Sequence, residues 1–156
     1  MATIDKKIIK LNILAVFLFV VDRISKWLAL NLLPQEGIFI VPKTTGFILE
    51  RNQGVAYSIP LTGPILIVVI LLIIGFLIFL LRRAYRKKEL PIILGLTFII
   101  VGAFSNFLDR IRYDYVVDMV VLTIWPAFNL ADVMIMVGIA VILWKMMKKK
   151  EVRNEN

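Results

Sequence analysis

The run ILIVVILLIIGFLIFLL, Ile65 to Leu81, decides the fold. It is 17 residues without a charge, and counted from Leu61 it reaches the length of about 20 that a helix needs to cross a hydrocarbon core. The rest of the chain needs the same solvent. Of 156 residues 60% are hydrophobic and the mean hydropathy is +0.89, against about 45–50% apolar residues in an ordinary soluble domain. A globule of this size leaves much of its surface wet, so the surplus apolar side chains point to a bilayer. Soluble enzymes and nucleic-acid modules are poor readings despite a net charge of +8. The absence of Cys and His removes thiol nucleophiles, disulfides, imidazole bases and the usual zinc ligands. Any chemistry must come from carboxylates, hydroxyls, amides, Lys or Arg.

Leu90 to Leu108 is a second span, interrupted only by small or polar residues such as Gly95, Thr97, Gly102, Ser105 and Asn106. Two further apolar runs, Leu11 to Val21 and Val133 to Trp144, are too short to cross alone. The first must extend through Asp22, Arg23 and Lys26 towards Leu33, and the last must begin near Phe128 and include Asn129 and Asp132. The expected architecture is an all-α membrane protein, a single integral domain over 1–156 with four transmembrane helices at about 11–33, 61–81, 90–108 and 128–147. Ionisable groups then lie at membrane depth, where they are costly and usually functional.

Thirteen of the 19 basic residues fall on one side of such a bundle: Lys6, Lys7 and Lys10, then Arg82 to Lys88, then Lys145 to Arg153. Both termini are therefore expected in the cytoplasm, with loops 34–60 and 109–127 facing outward. The C-terminal lysines read as an anchor near anionic lipid, not a nucleic-acid patch. A signal peptide over Ile8 to Leu33 is a weaker alternative, because no A-x-A-like cleavage site follows it. In the first outer loop, Gly37 to Pro42 and Gly46 to Glu50 are β-branched and aromatic runs punctuated by Gly and Pro, which predicts strands of a small extracytoplasmic sheet. The sequence contains no internal repeat.

The polar residues that spans cannot explain fall on the outward half: Asp22, Lys26, Asn52, Asn106, Asp109, Arg110, Asp118, Asn129 and Asp132. Asp22 and Lys26 are spaced i,i+4 and can neutralise each other as a structural pair. Asp109 and Arg110 suggest an exit-level salt bridge, whereas Asn106 lies deeper and needs a partner. Asp132 follows Asn129 by three, the spacing of an N-cap with an acid at N3, so it admits a purely structural role. Asp118 interrupts the apolar run Val116 to Val121 for no local reason. Fourteen residues let the chain turn and bring Asp118 and Asp132 together. Two close carboxylates do not both ionise easily, which leaves an acid and a base near neutral pH able to activate water against an amide. A Ser25–Lys26 dyad is disfavoured, since adjacent helical side chains diverge by about 100°. A carboxylate metal site lacks grouped acids. A small transporter using Asp22 or Asp132 has no inverted repeat to support it, and a purely structural subunit leaves Asp118 unexplained.

Five blocks now resemble one family: Asp22-Arg23-Ile24-Ser25-Lys26, Asn52-Gln53-Gly54-Val55-Ala56-Tyr57, Gly102 to Arg110, Val117-Asp118-Met119, and Phe128-Asn129-Leu130-Ala131-Asp132. Their order and spacing are similar to those of the bacterial lipoprotein signal peptidases, the type II signal peptidases. Tyr57 is the one visible departure, where Phe or Trp is more usual. The resemblance implies a four-helix aspartyl endopeptidase with an extracytoplasmic β-cradle, in the bacterial cytoplasmic (inner) membrane, its active site facing outward. It implies removal of the signal peptide from diacylglyceryl-modified prolipoproteins, cut on the amino side of the lipidated Cys. The partners are those substrates and membrane lipids, with no nucleic acid, cofactor or metal. Asp118 and Asp132 fall at the catalytic pair; Asn52, Gly54, Asn106, Arg110 and Asn129 at substrate-binding positions; Asp22, Lys26 and Asp109 at structural or substrate-facing polar positions.

Overall fold

A computed structural model describes residues 2–42, 44–53, 63–123 and 125–154. The elements run α1 (Ala2–Leu32), β1 (Ile38–Val41), β2 (Thr45–Asn52), α2 (Gly63–Lys87), α3 (Leu90–Tyr113), β3 (Val116–Leu122), β4 (Trp125–Phe128) and α4 (Leu130–Asn154). Among the described residues, three helices are long and apolar enough to cross a membrane: Gly63–Lys87, Leu90–Tyr113 and Leu130–Lys148. The fourth long helix, α1, has 31 residues but carries Asp22, Arg23 and Lys26 in its second half.

α2 is apolar around its whole circumference and buries little besides Leu66, Ile74 and Ala84, as a helix does when its solvent is apolar. α3 is the central element, packed against α1, α2 and α4. Its glycines allow the closest approach: a Cβ on Gly102 would run into the Ala131 carbonyl of α4, and one on Gly95 would lie 2.7 Å from the Gly138 carbonyl. Small residues at such crossings let backbones pack where no hydrophobic effect drives helices together. Thus the first turn of α4 is seated on α3 beside Asn106.

β1 and β2 form over the two runs read as strands. The structure adds a second hairpin that the sequence reading left as loop: all four strands pair antiparallel in the order β1-β2-β3-β4. α3 runs on to Tyr113, so Asp109 and Arg110 lie inside its last turns, and Asp114 at φ 65° ends it with its N–H on the Arg110 carbonyl at 3.0 Å. Asp tolerates this left-handed backbone better than most residues. β4 accommodates Pro126 because it is an edge strand. Side chains alternate across β3: Val117 and Met119 pack on Ala29 of α1, leaving Asp118 to face the other way. The β2–β3 register sets Glu50 opposite Asp118 and Asn52 opposite Val116.

Gly102→Ala should destabilise the protein by about 1–3 kcal/mol, because α4 must shift to admit the methyl. Gly75→Ala, whose Cβ meets nothing within 4 Å, should be neutral or slightly stabilising. Thermal unfolding in detergent compares the two, and equal Tm values would contradict the close α3–α4 contact.

Candidate active site

Asp22 and Lys26 share one face of α1 and are both almost fully buried, at 0% and 1% exposure. A buried ammonium must satisfy three N–H groups, and Lys26 Nζ has three acceptors: Asp22 Oδ2 at 3.1 Å, Asp109 Oδ2 at 2.8 Å and Asn106 Oδ1 at 2.8 Å. Asp109 therefore pairs with α1, and its second oxygen takes Arg23 NH1 at 2.6 Å. The expected exit-level bond to Arg110 is replaced because adjacent helical residues point apart. Arg110 instead donates from NH1 to the Asn106 carbonyl at 3.4 Å and lies within electrostatic reach of Asp109, Asp118 and Asp132.

Asn106 and Asn129 carry this network to the two carboxylates. Asn106 Nδ2 donates to Asp132 Oδ1 at 2.7 Å while its Oδ1 accepts from Lys26 and from Asn129 Nδ2 at 3.2 Å. Asn129 caps α4. Its Oδ1 accepts the Asp132 amide at 2.9 Å, and its own amide donates back to Asp132 Oδ2 at 3.2 Å, the reciprocal pair of a capping box. The structural role open to Asp132 in the sequence is thus present, and it occupies only one of the two oxygens. The Asn129 side-chain amide then reaches Asp118 Oδ1 at 2.6 Å, and Asn52 Nδ2 donates to Asp118 Oδ2 at 3.0 Å. One asparagine therefore bonds both carboxylates.

Asp118 on β3 titrates at about 6, well above the usual Asp range. Burial is the main cause; the Asp132 charge adds to it, whereas hydrogen bonds from Asn52 and Asn129 and the Lys26 charge oppose it. The pair is thus assembled where one member can hold a proton near neutrality.

Nine of the ten residues singled out in the sequence converge in this cluster. The tenth, Gly54, lies outside the described residues, as does Tyr57. Ser25 donates to the Asp22 carbonyl at 2.9 Å, a bond within its own helix. Arg23 and Ser105 are members that the sequence reading did not assign: Arg23 NH1 reaches both Ser105 oxygens at 3.2 Å, and Ser105 Oγ donates to Asp22 Oδ2 at 2.6 Å. The available signal was spacing, since Ser105 precedes Asp109 by one turn on the same face of α3.

Comparison with known proteins gives the same grouping. A family model described as Signal peptidase (SPase) II matches residues 14–148. The lipoprotein signal peptidase of Thermodesulfovibrio yellowstonii is 32% identical over 149 residues, covering 92% of this chain and 98% of its own. That of Streptococcus thermophilus is 34% identical over 128 residues, covering 78% and 83%. A solved bacterial membrane enzyme superposes with a TM-score of 0.80 at 22% identity over 94% of this chain and 93% of its own, a likeness of fold. With a family match over most of its length and relatives above 30% identity, this multi-pass membrane chain belongs to the signal peptidase II family.

Proposed function

We propose that this chain is an intramembrane aspartyl endopeptidase that removes the signal peptide from diacylglyceryl-modified prolipoproteins, cutting on the amino side of the lipidated Cys. The observation that carries the reading is the bridging of Asp118 and Asp132 by Asn129 within a buried, charge-balanced cluster. Four carboxylates (Asp22, Asp109, Asp118, Asp132) face three cations (Arg23, Lys26, Arg110), so the group is neutral when Asp118 and Asp132 share one proton. Neutrality favours that state in a poorly solvated site, and it is the working state of an aspartyl pair. The ionised carboxylate takes a proton from water, whose oxygen attacks the scissile carbonyl carbon, while the protonated partner donates to the carbonyl oxygen. Collapse of the tetrahedral species breaks the C–N bond: one hydroxyl of the gem-diol returns its proton to the partner carboxylate as the product carbonyl forms, and the proton first taken from water passes to the leaving amine of the lipidated Cys. The two carboxylates titrate as a unit.

Asn52, Asn106, Asn129 and Arg110 border the pair, and with Gly54 are proposed to hold the peptide backbone or the lipid head region. Two acyl chains in the bilayer keep the substrate at the depth of the site, each methylene contributing about 0.8 kcal/mol to partitioning. α1 is proposed as a fourth span: its apolar residues, Ile13, Val16 and Phe17 among them, are exposed, while Asp22 and Lys26 are turned inward onto α3. The sheet and the carboxylates then face outward from a bacterial cytoplasmic membrane, with both termini inside.

Asp118→Asn and Asp132→Asn should each lower cleavage of a diacylglyceryl-modified substrate by about 10²–10⁴-fold, the usual contribution of general acid–base catalysis, while the protein stays folded. Near-normal turnover of Asp132→Asn would leave that residue only its capping role. The unlipidated peptide should be cut far more slowly, and equal rates would make the enzyme a general intramembrane protease.

The Asn52 amide stabilises the Asp118 carboxylate, so Asn52→Ala should raise its pKa above about 6. Because that value lies above the ordinary Asp value of 3.8, the stability that Asp118 contributes is full at low pH and lost as pH rises through about 6. The loss should move to higher pH in the variant. A carboxyl NMR titration reads the shift directly, and a downward move would contradict the assigned role of Asn52.

Orientation is open to thiol labelling in intact cells. A probe thiol in Thr44→Cys should react with an impermeant reagent from outside and one in Arg86→Cys should not; the reverse pattern would overturn the topology.

A further inference from the structure

The buried ion cluster does more than neutralise itself, because one of its carboxylates leaves α1 and α3 and ends on α4. Asp22 Oδ1 accepts the backbone amide of Ala131 at 2.8 Å. Ala131 stands between Asn129, which caps the helix, and Asp132, so this bond holds the turn from which Asp132 projects. An unsatisfied amide in the first turn of a buried helix needs such an acceptor. The partner comes from 109 residues away in sequence.

The orientation of Asp22 is in turn fixed at its other oxygen. Oδ2 accepts from Ser105 Oγ at 2.6 Å and from Lys26 Nζ at 3.1 Å. Ser105 is 1% exposed, and its hydroxyl has a single proton. Arg23 NH1 donates to Ser105 Oγ at 3.2 Å, which leaves that proton for Asp22. Lys26 divides its ammonium among Asp22, Asp109 and Asn106, so it fixes Asp22 less narrowly than the short serine bond does. We propose that Ser105 is a positioning residue for the Asp118–Asp132 pair, acting through Asp22 on the first turn of α4. The chain of contacts is Arg23, Ser105, Asp22, Ala131, Asp132, and none of its first three members needs to touch substrate. This inference rests on the aspartyl reading above.

Ser105→Ala keeps the small side chain on α3 and removes the hydroxyl. With Oδ2 held by Lys26 alone, Asp22 turns towards the ammonium and its bond to Ala131 lengthens. Small displacements of a reacting group can cost up to about 10²-fold in rate; a loosened first turn should cost about tenfold in kcat, with KM for the lipidated substrate unchanged. Ser105→Thr retains the hydroxyl and should recover most of the loss. The Ala131 amide reports the geometry without any turnover: its proton resonance should move upfield in Ser105→Ala and return in Ser105→Thr. Should Ser105→Ala fail to fold, Arg23→Gln tests the same chain from its more exposed end, with a kcat loss of about threefold and the same direction of amide shift. Wild-type kcat per folded molecule together with an unmoved Ala131 resonance would overturn the proposal, as would a loss seen only in Tm or KM. The two readings fail separately: if Asp132→Asn is inactive while Ser105→Ala is normal, only the positioning role falls, whereas an active Asp132→Asn removes the aspartyl reading itself.

Discussion

A single buried ammonium constrains the whole interior of this protein. Lys26 sits at 1% exposure among helices whose outer surfaces are apolar, so every proton on its nitrogen needs an acceptor supplied by the chain. Those acceptors come from its own helix and from two places on α3, Asp109 and Asn106. α1 and α3 are thereby fixed in both rotation and depth, since a slide of one turn would strand a charge. Removing one partner of such a group leaves an uncompensated buried ion, which costs about 3–5 kcal/mol. The same residues that solve this problem reach the candidate site, Asn106 through Asp132 and Asp22 through the start of α4.

Within that frame the amides of Asn52, Asn106 and Asn129 orient the two carboxylates without titrating themselves. All four oxygens of Asp118 and Asp132 accept a hydrogen bond from an asparagine, one of them from a main-chain amide. Amides donate at every pH, so the only protons that come and go belong to the carboxyls. Asp132 also shows why a structural and a chemical role need not compete. Its capping contact uses Oδ2, while the contact from Asn106 aims Oδ1.

The sequence carried the membrane setting in Ile65 to Leu81, and its order of polar blocks carried the membership of the cluster. Spacing within one helix was legible, as in the Asp22–Lys26 pair and the Asn129–Asp132 cap. Partners across helices were not. Asp109 bonds Lys26 and Arg23, 83 and 86 positions away, and no local period foretells that. The second hairpin was hidden for a different reason. Val116 to Leu122 is apolar on both faces except at Asp118, so it lacks the alternation that marks a half-buried strand, and Pro126 disguises its partner. Ser105 looked like a small polar interruption in an apolar helix, and its value as a donor depends on an α1 carboxylate that only the packing brings near.

The Asp22–Lys26 pair has a consequence for biogenesis. Its two members lie four residues apart on the same helix, so Lys26 has a counter-ion within α1 before any other helix exists. A nascent α1 with that internal pair carries a dipole instead of two separate charges, which lowers the cost of placing them away from water before α3 and α4 have been made. When α3 arrives, its Asp109 and Asn106 join Lys26, and Asp22 keeps an oxygen for the amide of the last helix to come, α4. The order of synthesis thus matches the order in which Lys26 and Asp22 gather partners, while Arg23 of the same helix obtains its counter-ion only when Asp109 has been made.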